Sequence, residues 1–213
     1  MKQVQKLKQL ENLSFFDVSA VAQVTSLQGE YLYESISRWI KSGILLQLKK
    51  GFYVTNNYYE NLPEKTSYAE FLANKIKYPS YLSLEYVLSK NSILSESVYT
   101  YTSLTKKTPN IYTNTLGTFS YRNISEKLFL GFEIIDKDGF EIAIATKSKA
   151  LFDYLYLKFF RKSEITKKDL EELRLNLESF NKKEIKEFSY YCKLTNIAIY
   201  KKLPNLLFEK NDS

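Results

Sequence analysis

Four basic residues come close together in the chain, at Arg38, Lys41, Lys49 and Lys50. Lysine and arginine side chains neutralise phosphate groups, and the counterions that this releases make the affinity for a polyanion fall with salt. Arginine can also donate two hydrogen bonds to the O6 and N7 atoms of guanine, so Arg38 is a candidate for reading a base. This chemistry is that of contact with double-stranded DNA.

The helix predicted to carry Arg38 begins at Gly29 and runs for about four turns. Its apolar residues recur at i, i+4, i+7 and i+8 and form one buried face. Its opposite face is polar, and side chains on or beside it could reach base edges in a groove of DNA. Besides Arg38 and Lys41, these candidates are Gln28, Tyr31, Glu34 and Ser37.

A basic hairpin is predicted directly after this helix. Gly43 stands where a helix end favours a residue that tolerates positive φ. Residues 44–48 and 52–55 then flank a three-residue loop, Lys49-Lys50-Gly51. Two shorter helices are predicted upstream, over residues 1–13 and 15–24. This order is typical of a winged helix-turn-helix, in which a helix enters the major groove and the hairpin tip contacts phosphates.

Two observations temper this interpretation. Glu30 and Glu34 on the helix repel phosphate, which favours selective binding over indiscriminate coating of DNA. The same fold can also serve as a module that binds another protein, and the pattern alone leaves that alternative open.

Composition limits the other classes of function. The chain has 213 residues, 31 basic and 24 acidic side chains, a net charge of +7 and no histidine. A basic excess favours a polyanionic partner, although a lysine-rich composition also arises when the coding DNA is AT-rich. The lack of histidine removes the commonest general base and metal ligand. We expect no catalytic residues, no metal site, no cofactor and no enzymatic activity.

The cellular location is expected to be the cytoplasm. The single cysteine, Cys192, excludes an intramolecular disulfide. The first residues lack the apolar stretch of a signal peptide, and no apolar run is long enough for a membrane span.

The remainder of the chain is predicted to be an α+β domain with an antiparallel sheet and C-terminal helices. Residues 58–66 are polar, contain Pro63 and are predicted to be a linker. Ser67, Ser83 and Thr146 are the predicted N-caps of helices, and Glu70 would complete a capping box with Ser67. Strands are predicted over residues 98–105, 111–124, 128–135 and 140–145, and later helices over residues 167–180, 182–193 and 198–208.

Several residues of this domain allow a functional and a structural interpretation. Asp153 could be catalytic, but an internal cap or an ion pair with Arg122 or a lysine is favoured. Tyr78 and Tyr81 flank Pro79-Ser80, which could be a ligand-binding loop or a turn packed on the core. An enzyme would need a pocket that brings together at least two of these carboxylates: Glu85, Glu96, Asp136, Asp138, Glu141 and Asp153. The basic surface of the later helices is either solvated or a docking surface for an acidic partner, and its lysines are Lys167, Lys168, Lys182, Lys183 and Lys186.

Five stretches resemble the AbiEi-type antitoxins, transcriptional regulators of type IV toxin–antitoxin and abortive-infection systems. They are GILLQLKKGFYV, ANKIKYPSYLSLEYVLS, VYTYTSLT, LGTFSYRNI and IATKSKALFDYLYL. The resemblance implies an N-terminal winged helix-turn-helix that represses its own operon through promoter repeats. It also implies a C-terminal domain that counteracts a co-encoded nucleotidyltransferase-like toxin, with or without a stable complex. The alternative within this class is a stand-alone regulator without a toxin.

The predicted organisation therefore has three parts. Residues 1–57 form the winged helix-turn-helix, residues 58–66 the linker, and residues 67–213 the α+β antitoxin domain. The predicted DNA-contacting residues are Gln28, Tyr31, Glu34, Ser37, Arg38, Lys41, Lys49 and Lys50.

Overall fold

The computed structural model describes residues 2–208, and the side chains of residues 3–208. The chain is mixed α+β, as predicted. It separates into two compact units, Met1–Ala69 with Tyr112–Gly117, and Glu70–Ile111 with Thr118–Ser213.

The first unit combines short helices with a small antiparallel sheet. The strand order in this sheet is β1-β3-β2. Its elements are α1 (Lys2–Leu7), β1 (Phe16–Asp17), α2 (Val18–Thr25), α3 (Gly29–Lys41), β2 (Leu45–Lys49), β3 (Phe52–Thr55), α4 (Asn56–Glu60) and the first turn of α5 (Lys65–Ile76).

Local chemistry explains where these helices begin and end. The Asp17 carboxylate accepts a hydrogen bond from the backbone N–H of Ala20 at 3.0 Å and caps α2. Ser26 adopts the left-handed conformation just after α2, and Gly43 does so after α3. The apolar faces then pack into one core, whose buried members are Leu7, Leu10, Phe16, Val21, Leu32, Ile36, Trp39, Leu45 and Tyr53.

Three expectations for the N-terminal segment are wrong in detail. The first helix ends at Leu7 and continues only as a 3-10 turn, Lys8–Leu10. Phe16 lies in a strand, because it pairs with Tyr53 instead of continuing a helix. The segment 58–66, predicted as a linker, holds the end of α4 and the first residues of α5. The Thr55 hydroxyl caps α4 by accepting from the N–H of Tyr58 at 3.1 Å.

The second unit contains most of a six-stranded sheet and the remaining helices. The sheet order is β6-β7-β5-β4-β9-β8. The elements after α5 are β4 (Ser80–Leu82), α6 (Leu84–Lys90), β5 (Thr100–Thr105), β6 (Asn110–Asn114), β7 (Gly117–Asn123), β8 (Phe132–Lys137), β9 (Phe140–Ala145), α7 (Lys147–Lys158), α8 (Lys167–Glu171), α9 (Lys182–Leu194), α10 (Ala198–Lys201) and α11 (Leu203–Phe208).

The predicted antiparallel sheet is instead mixed. β4 and β9 are parallel, with Leu82 opposite Ile144, and β5 and β7 are parallel from Thr100 opposite Thr118 onwards. The alternation of residues along a strand shows which face is buried, but it carries no information about the direction of the neighbouring strand. The hairpin β8–β9 is antiparallel as predicted.

Two predicted helix caps differ from the structure, and a third is present. Ser67 is fully buried and lies inside α5, which begins at Lys65, so it is not the N-cap of this helix. Ser83 precedes α6 at the N-cap position without capping it through its side chain. The Thr146 hydroxyl does cap α7, accepting from the N–H of Lys149 at 3.2 Å.

The helix predicted over residues 182–193 is confirmed as α9, whereas the other two C-terminal helices are shorter or more divided than predicted. The helix expected over residues 167–180 ends at Glu171, and the segment 198–208 forms two helices, α10 and α11. No helix within residues 2–208 is long and apolar enough to cross a membrane.

Candidate nucleic-acid interface

Helix α3 presents a polar face opposite a well-packed apolar one. Leu32, Ile36 and Trp39 are buried in the core of the first unit. Burying that face fixes the rotation of the helix, so the polar side chains of the opposite face point to solvent, with the exception of Ser35, which is buried. Seven of the eight predicted contact residues are exposed: Gln28, Tyr31, Glu34, Ser37, Arg38, Lys41 and Lys50. The eighth, Lys49, is half-buried.

A groove runs between α3 and the β2–β3 hairpin. It has a volume of about 460 Å³. The structure brings three predicted residues together there, Ser37 and Lys41 from the helix and Lys50 from the hairpin tip, whereas Gln28, Tyr31, Glu34, Arg38 and Lys49 do not line it. The complete lining is Val18, Tyr33, Ile36, Ser37, Ile40, Lys41, Gln47, Lys50, Gly51 and Tyr53.

The groove offers hydrogen-bond donors and positive charge beside an apolar floor. Lys41 and Lys50 contribute ammonium groups, and Ser37 contributes a hydroxyl. Tyr53 is almost fully buried, and this burial raises the pKa of its phenol, so the group stays neutral at physiological pH. The chemistry suits an anionic group that approaches from solvent.

Arg38 is partly fixed by its own helix. Its guanidinium Nη2 donates to the Oγ atom of buried Ser35 at 3.0 Å. The two residues lie three positions apart, on neighbouring turns. This bond uses one of the five N–H donors of the guanidinium, and the others remain able to bind a guanine edge.

The hairpin tip has the geometry that the sequence predicts at its glycine. Gly51 has φ of +76°, which other residues rarely adopt. Lys49 pairs with Phe52 after an irregularity in the ladder that begins at Gln47. Lys49 therefore belongs to β2, and the predicted three-residue loop is reduced to Lys50-Gly51. The Lys49 ammonium lies 5.2 Å from the centre of the Phe52 ring. Lys50 is therefore the exposed cation of the tip.

One contributor to this hairpin could not be found from the sequence. The amide Nδ2 of Asn114 donates to the backbone carbonyl of Leu48 at 2.8 Å. Asn114 follows Leu48 by 66 positions, and no spacing rule links them. Gln47 and Tyr33 were also not predicted as contacts, and both line the groove.

The second unit places Asp153 in a buried cluster instead of an open site. The Lys149 ammonium pairs with one carboxylate oxygen. The Tyr81 and Ser83 hydroxyls donate to the other at 3.1 and 2.8 Å. The favoured ion pair with a lysine is confirmed, but the partner is not Arg122, which lies 4.0 Å from Glu85.

One cavity of the second unit contains Glu96, and it does not bring together the carboxylates that an enzyme would need. That cavity, of about 520 Å³, takes only Glu96 from the six predicted candidates; the other lining residues are Leu94, Ser95, Tyr154, Lys158, Glu172, Leu173 and Arg174. Asp136 and Glu141 face each other across the exposed end of the β8–β9 hairpin. Within residues 2–208, no group of three or more acidic or cysteine side chains could hold a metal ion.

The remaining candidates have structural positions. Tyr81 is fully buried and stacks on Phe132, whereas Tyr78 is exposed. The expected packing on the core therefore holds for Tyr81 only, and Tyr81 lies in strand β4 instead of a turn. Cys192 is buried on α9, as expected of an apolar filler.

No protein-family model and no curated protein matches this chain. The resemblance to AbiEi-type antitoxins therefore stays a prediction.

Proposed function

We propose that the first unit is a winged helix-turn-helix that binds double-stranded DNA, with α3 in the major groove and the β2–β3 hairpin on the phosphate backbone. The order of its elements supports this: α1, β1, α2, α3, then the hairpin. The pairing of β1 with β3 also fits, because it ties the hairpin to the strand that precedes α2.

The groove between α3 and the hairpin carries the proposal. Lys41 and Lys50 come from different elements and line the same concave surface. A DNA backbone that passes along this surface would be contacted by both cations while the outer face of α3 reaches base edges. A helix and a hairpin with cations on unrelated surfaces would give no such geometry.

In this proposal the polar face of α3 supplies specificity. Arg38 is the strongest candidate for direct readout, since arginine binds guanine through two hydrogen bonds. Glu34 is exposed on the same face and repels phosphate, which disfavours sequence-independent binding. Gln28, Tyr31 and Ser37 are the further candidates.

The biological role that we propose is repression of the protein's own promoter, as antitoxin of a type IV toxin–antitoxin pair. The second unit would then counteract a nucleotidyltransferase-like toxin. This part of the proposal rests on the sequence resemblance alone.

The proposal is tested by titrating the full chain against the DNA upstream of its own gene. Random DNA of equal length is the competitor, and the titration is repeated at several salt concentrations. We expect selective retardation that weakens as salt rises, because phosphate contacts release counterions. Absence of retardation at low salt would exclude the DNA-binding role.

A second function is favoured by two exposed tyrosines on α3. Tyr31 is 76% and Tyr33 is 61% exposed. Exposed aromatic residues are enriched at protein–protein interfaces, so this helix could dock a partner protein instead of DNA. Capture of one co-encoded partner by the wild-type chain, lost on Tyr31→Ala with Tyr33→Ala, together with no DNA retardation, would favour this function.

A further inference from the structure

Helix α9 carries a row of exposed basic residues with one tyrosine among them. Lys182, Lys183, Lys186 and Lys193 are exposed, and Tyr190 is 54% exposed. At 3.6 residues per turn, all five fall within about 100° of the helix circumference. They form a continuous strip, the α9 ridge, about 16 Å long from Lys182 to Lys193.

The acidic residues of α9 are turned away from this ridge. The Glu184 carboxylate pairs with Lys147 at 2.9 Å. The Glu187 carboxylate accepts from the Thr146 hydroxyl and the Tyr191 hydroxyl, both at 2.7 Å. Both glutamates are therefore used to hold α9 against the start of α7 and its own buried face.

The positive charge of the ridge is consequently uncompensated. Apart from six lysines, residues 182–208 contain no charged side chains other than those two glutamates. In the part of the chain that the structure describes, no ion pair involves a ridge lysine. A solvated face of an ordinary helix mixes both signs of charge, and this one does not.

The ridge stands on a well-anchored helix. Phe188 and Cys192 are fully buried on its opposite face, and Asn181 and Glu184 form a capping box at its start. The Tyr190 ring packs edgewise on Tyr191, with 5.5 Å between ring centres. The helix thus fixes the spacing of the four lysines along the ridge, and the contact with Tyr191 orients the Tyr190 ring before any ligand binds.

We propose that the α9 ridge binds single-stranded nucleic acid, with its lysines along the phosphate backbone and Tyr190 stacked on a base. A row of cations without nearby carboxylates complements a polyphosphate chain. An exposed aromatic ring among the cations complements the face of a base, which a single strand offers and a duplex hides within its stack. An acidic protein would satisfy the lysines but gives Tyr190 no such partner. This surface is independent of the proposed promoter-binding groove.

The ridge makes a quantitative prediction about salt. For a single strand, the slope of log affinity against log salt is roughly −0.7 for each phosphate neutralised. Four lysines would give a slope of about −3, and removing two of them would halve it.

The test is a fluorescence-anisotropy titration of the full chain with labelled oligo(dT) of about 15 nucleotides. We expect Lys186→Ala with Lys193→Ala to reduce the slope to about −1.4. We expect Tyr190→Leu to weaken binding about fivefold or more at an unchanged slope, and Tyr190→Phe to bind as the wild type does. Lys167→Ala with Lys168→Ala, on the exposed start of α8, is the matched control and should leave binding unchanged. Circular dichroism verifies that each variant is folded.

Three results would overturn the proposal. They are no binding of oligo(dT) at low salt, binding of a poly-glutamate peptide as tight as that of oligo(dT), and no effect of Tyr190→Leu. Failure here is distinguishable from failure of the promoter proposal. Lys50→Ala should weaken binding of promoter duplex and not of oligo(dT), whereas the ridge variants should do the reverse.

Discussion

Lys149 and Asp153 lie one turn apart on α7 and form an ion pair in which neither side chain is exposed. Burial lowers the pKa of the Lys149 ammonium and raises that of the Asp153 carboxyl, and the charge of each partner opposes the effect. The hydroxyls of Tyr81 and Ser83 complete the coordination of the carboxylate. Because these residues come from β4 and its junction with α6, the pair joins α7 to the sheet.

Breaking this pair should strongly destabilise the protein. Asp153→Asn leaves the Lys149 ammonium buried without its counter-charge, which typically costs about 3–5 kcal/mol of the free energy of unfolding. Urea denaturation followed by circular dichroism measures this loss.

The matched control is an exposed ion pair in the same unit. Lys106 and Glu126 pair at 2.7 Å, with side chains 39% and 84% exposed. Lys106→Ala should change the free energy of unfolding by less than about 1 kcal/mol, since exposed pairs are weak. A similarly small effect for Asp153→Asn would contradict the assignment of a buried charge pair.

The single cysteine provides a second test of core packing. Cys192 is fully buried, and that burial raises the pKa of its thiol to about 12. Because the thiolate is the reactive form, we expect the native protein to react with a disulfide reagent at pH 8 far more slowly than the urea-unfolded chain. Equal rates in the two states would show that α9 opens readily or that the thiol is exposed.

The sequence was sufficient for features that depend on local patterns. The apolar spacing of Leu32, Ile36 and Trp39 predicted the buried face of α3, and hence which side chains point outward, although Ser35 on the opposite face is buried. Positive φ at Gly43 and Gly51 followed from the same local reasoning, because a helix end and a tight hairpin both favour glycine.

Features that depend on distant parts of the chain could not be predicted. The parallel pairing of β5 with β7 depends on the path of the chain between the two strands. The alternation of buried and exposed residues along a strand is the same whether its neighbour runs parallel or antiparallel, so it could not predict this pairing. The burial of Asp153 could likewise not be predicted, since its hydrogen-bond partners Tyr81 and Ser83 come from a segment about 70 positions earlier in the chain. Within the candidate interface, the pattern predicted the exposure of every contact residue except half-buried Lys49, but not which of them share the groove.

Arg38 should discriminate between sequences if it reads a base. Arg38→Ala should weaken binding to promoter DNA by about 1–3 kcal/mol relative to random DNA. Arg38→Lys keeps the charge but loses the planar pair of donors, so it should leave the affinity for random DNA unchanged and lose the preference for promoter DNA as Arg38→Ala does. Competition titrations measure both affinities. Equal losses on promoter and random DNA would instead assign Arg38 to a phosphate.

Lys50 should contribute affinity without sequence preference. Lys50→Ala should weaken binding to promoter and random duplex alike, and make the salt slope shallower by about 0.9 for one phosphate contact. Lys8→Ala removes an exposed cation from the same unit outside the groove and should change neither quantity. An unchanged slope in Lys50→Ala would exclude a phosphate contact at the hairpin tip.

Asn114 should position the hairpin without touching DNA. Its amide Nδ2 holds the Leu48 carbonyl, in the strand that leads to Lys49 and Lys50, and its Oδ1 accepts from the N–H of Leu116 at 2.8 Å. Asn114→Ala therefore removes two hydrogen bonds, each worth about 1 kcal/mol. We expect weaker promoter binding at an unchanged salt slope, because every cation is retained and only its placement is loosened. Asn110→Ala is the control, since that side chain accepts only from its neighbour, the N–H of Ile111 at 2.8 Å. A shallower slope in Asn114→Ala would mean that the loosened hairpin has lost its phosphate contact altogether, whereas an unchanged affinity would mean that the hairpin holds its shape without this bond.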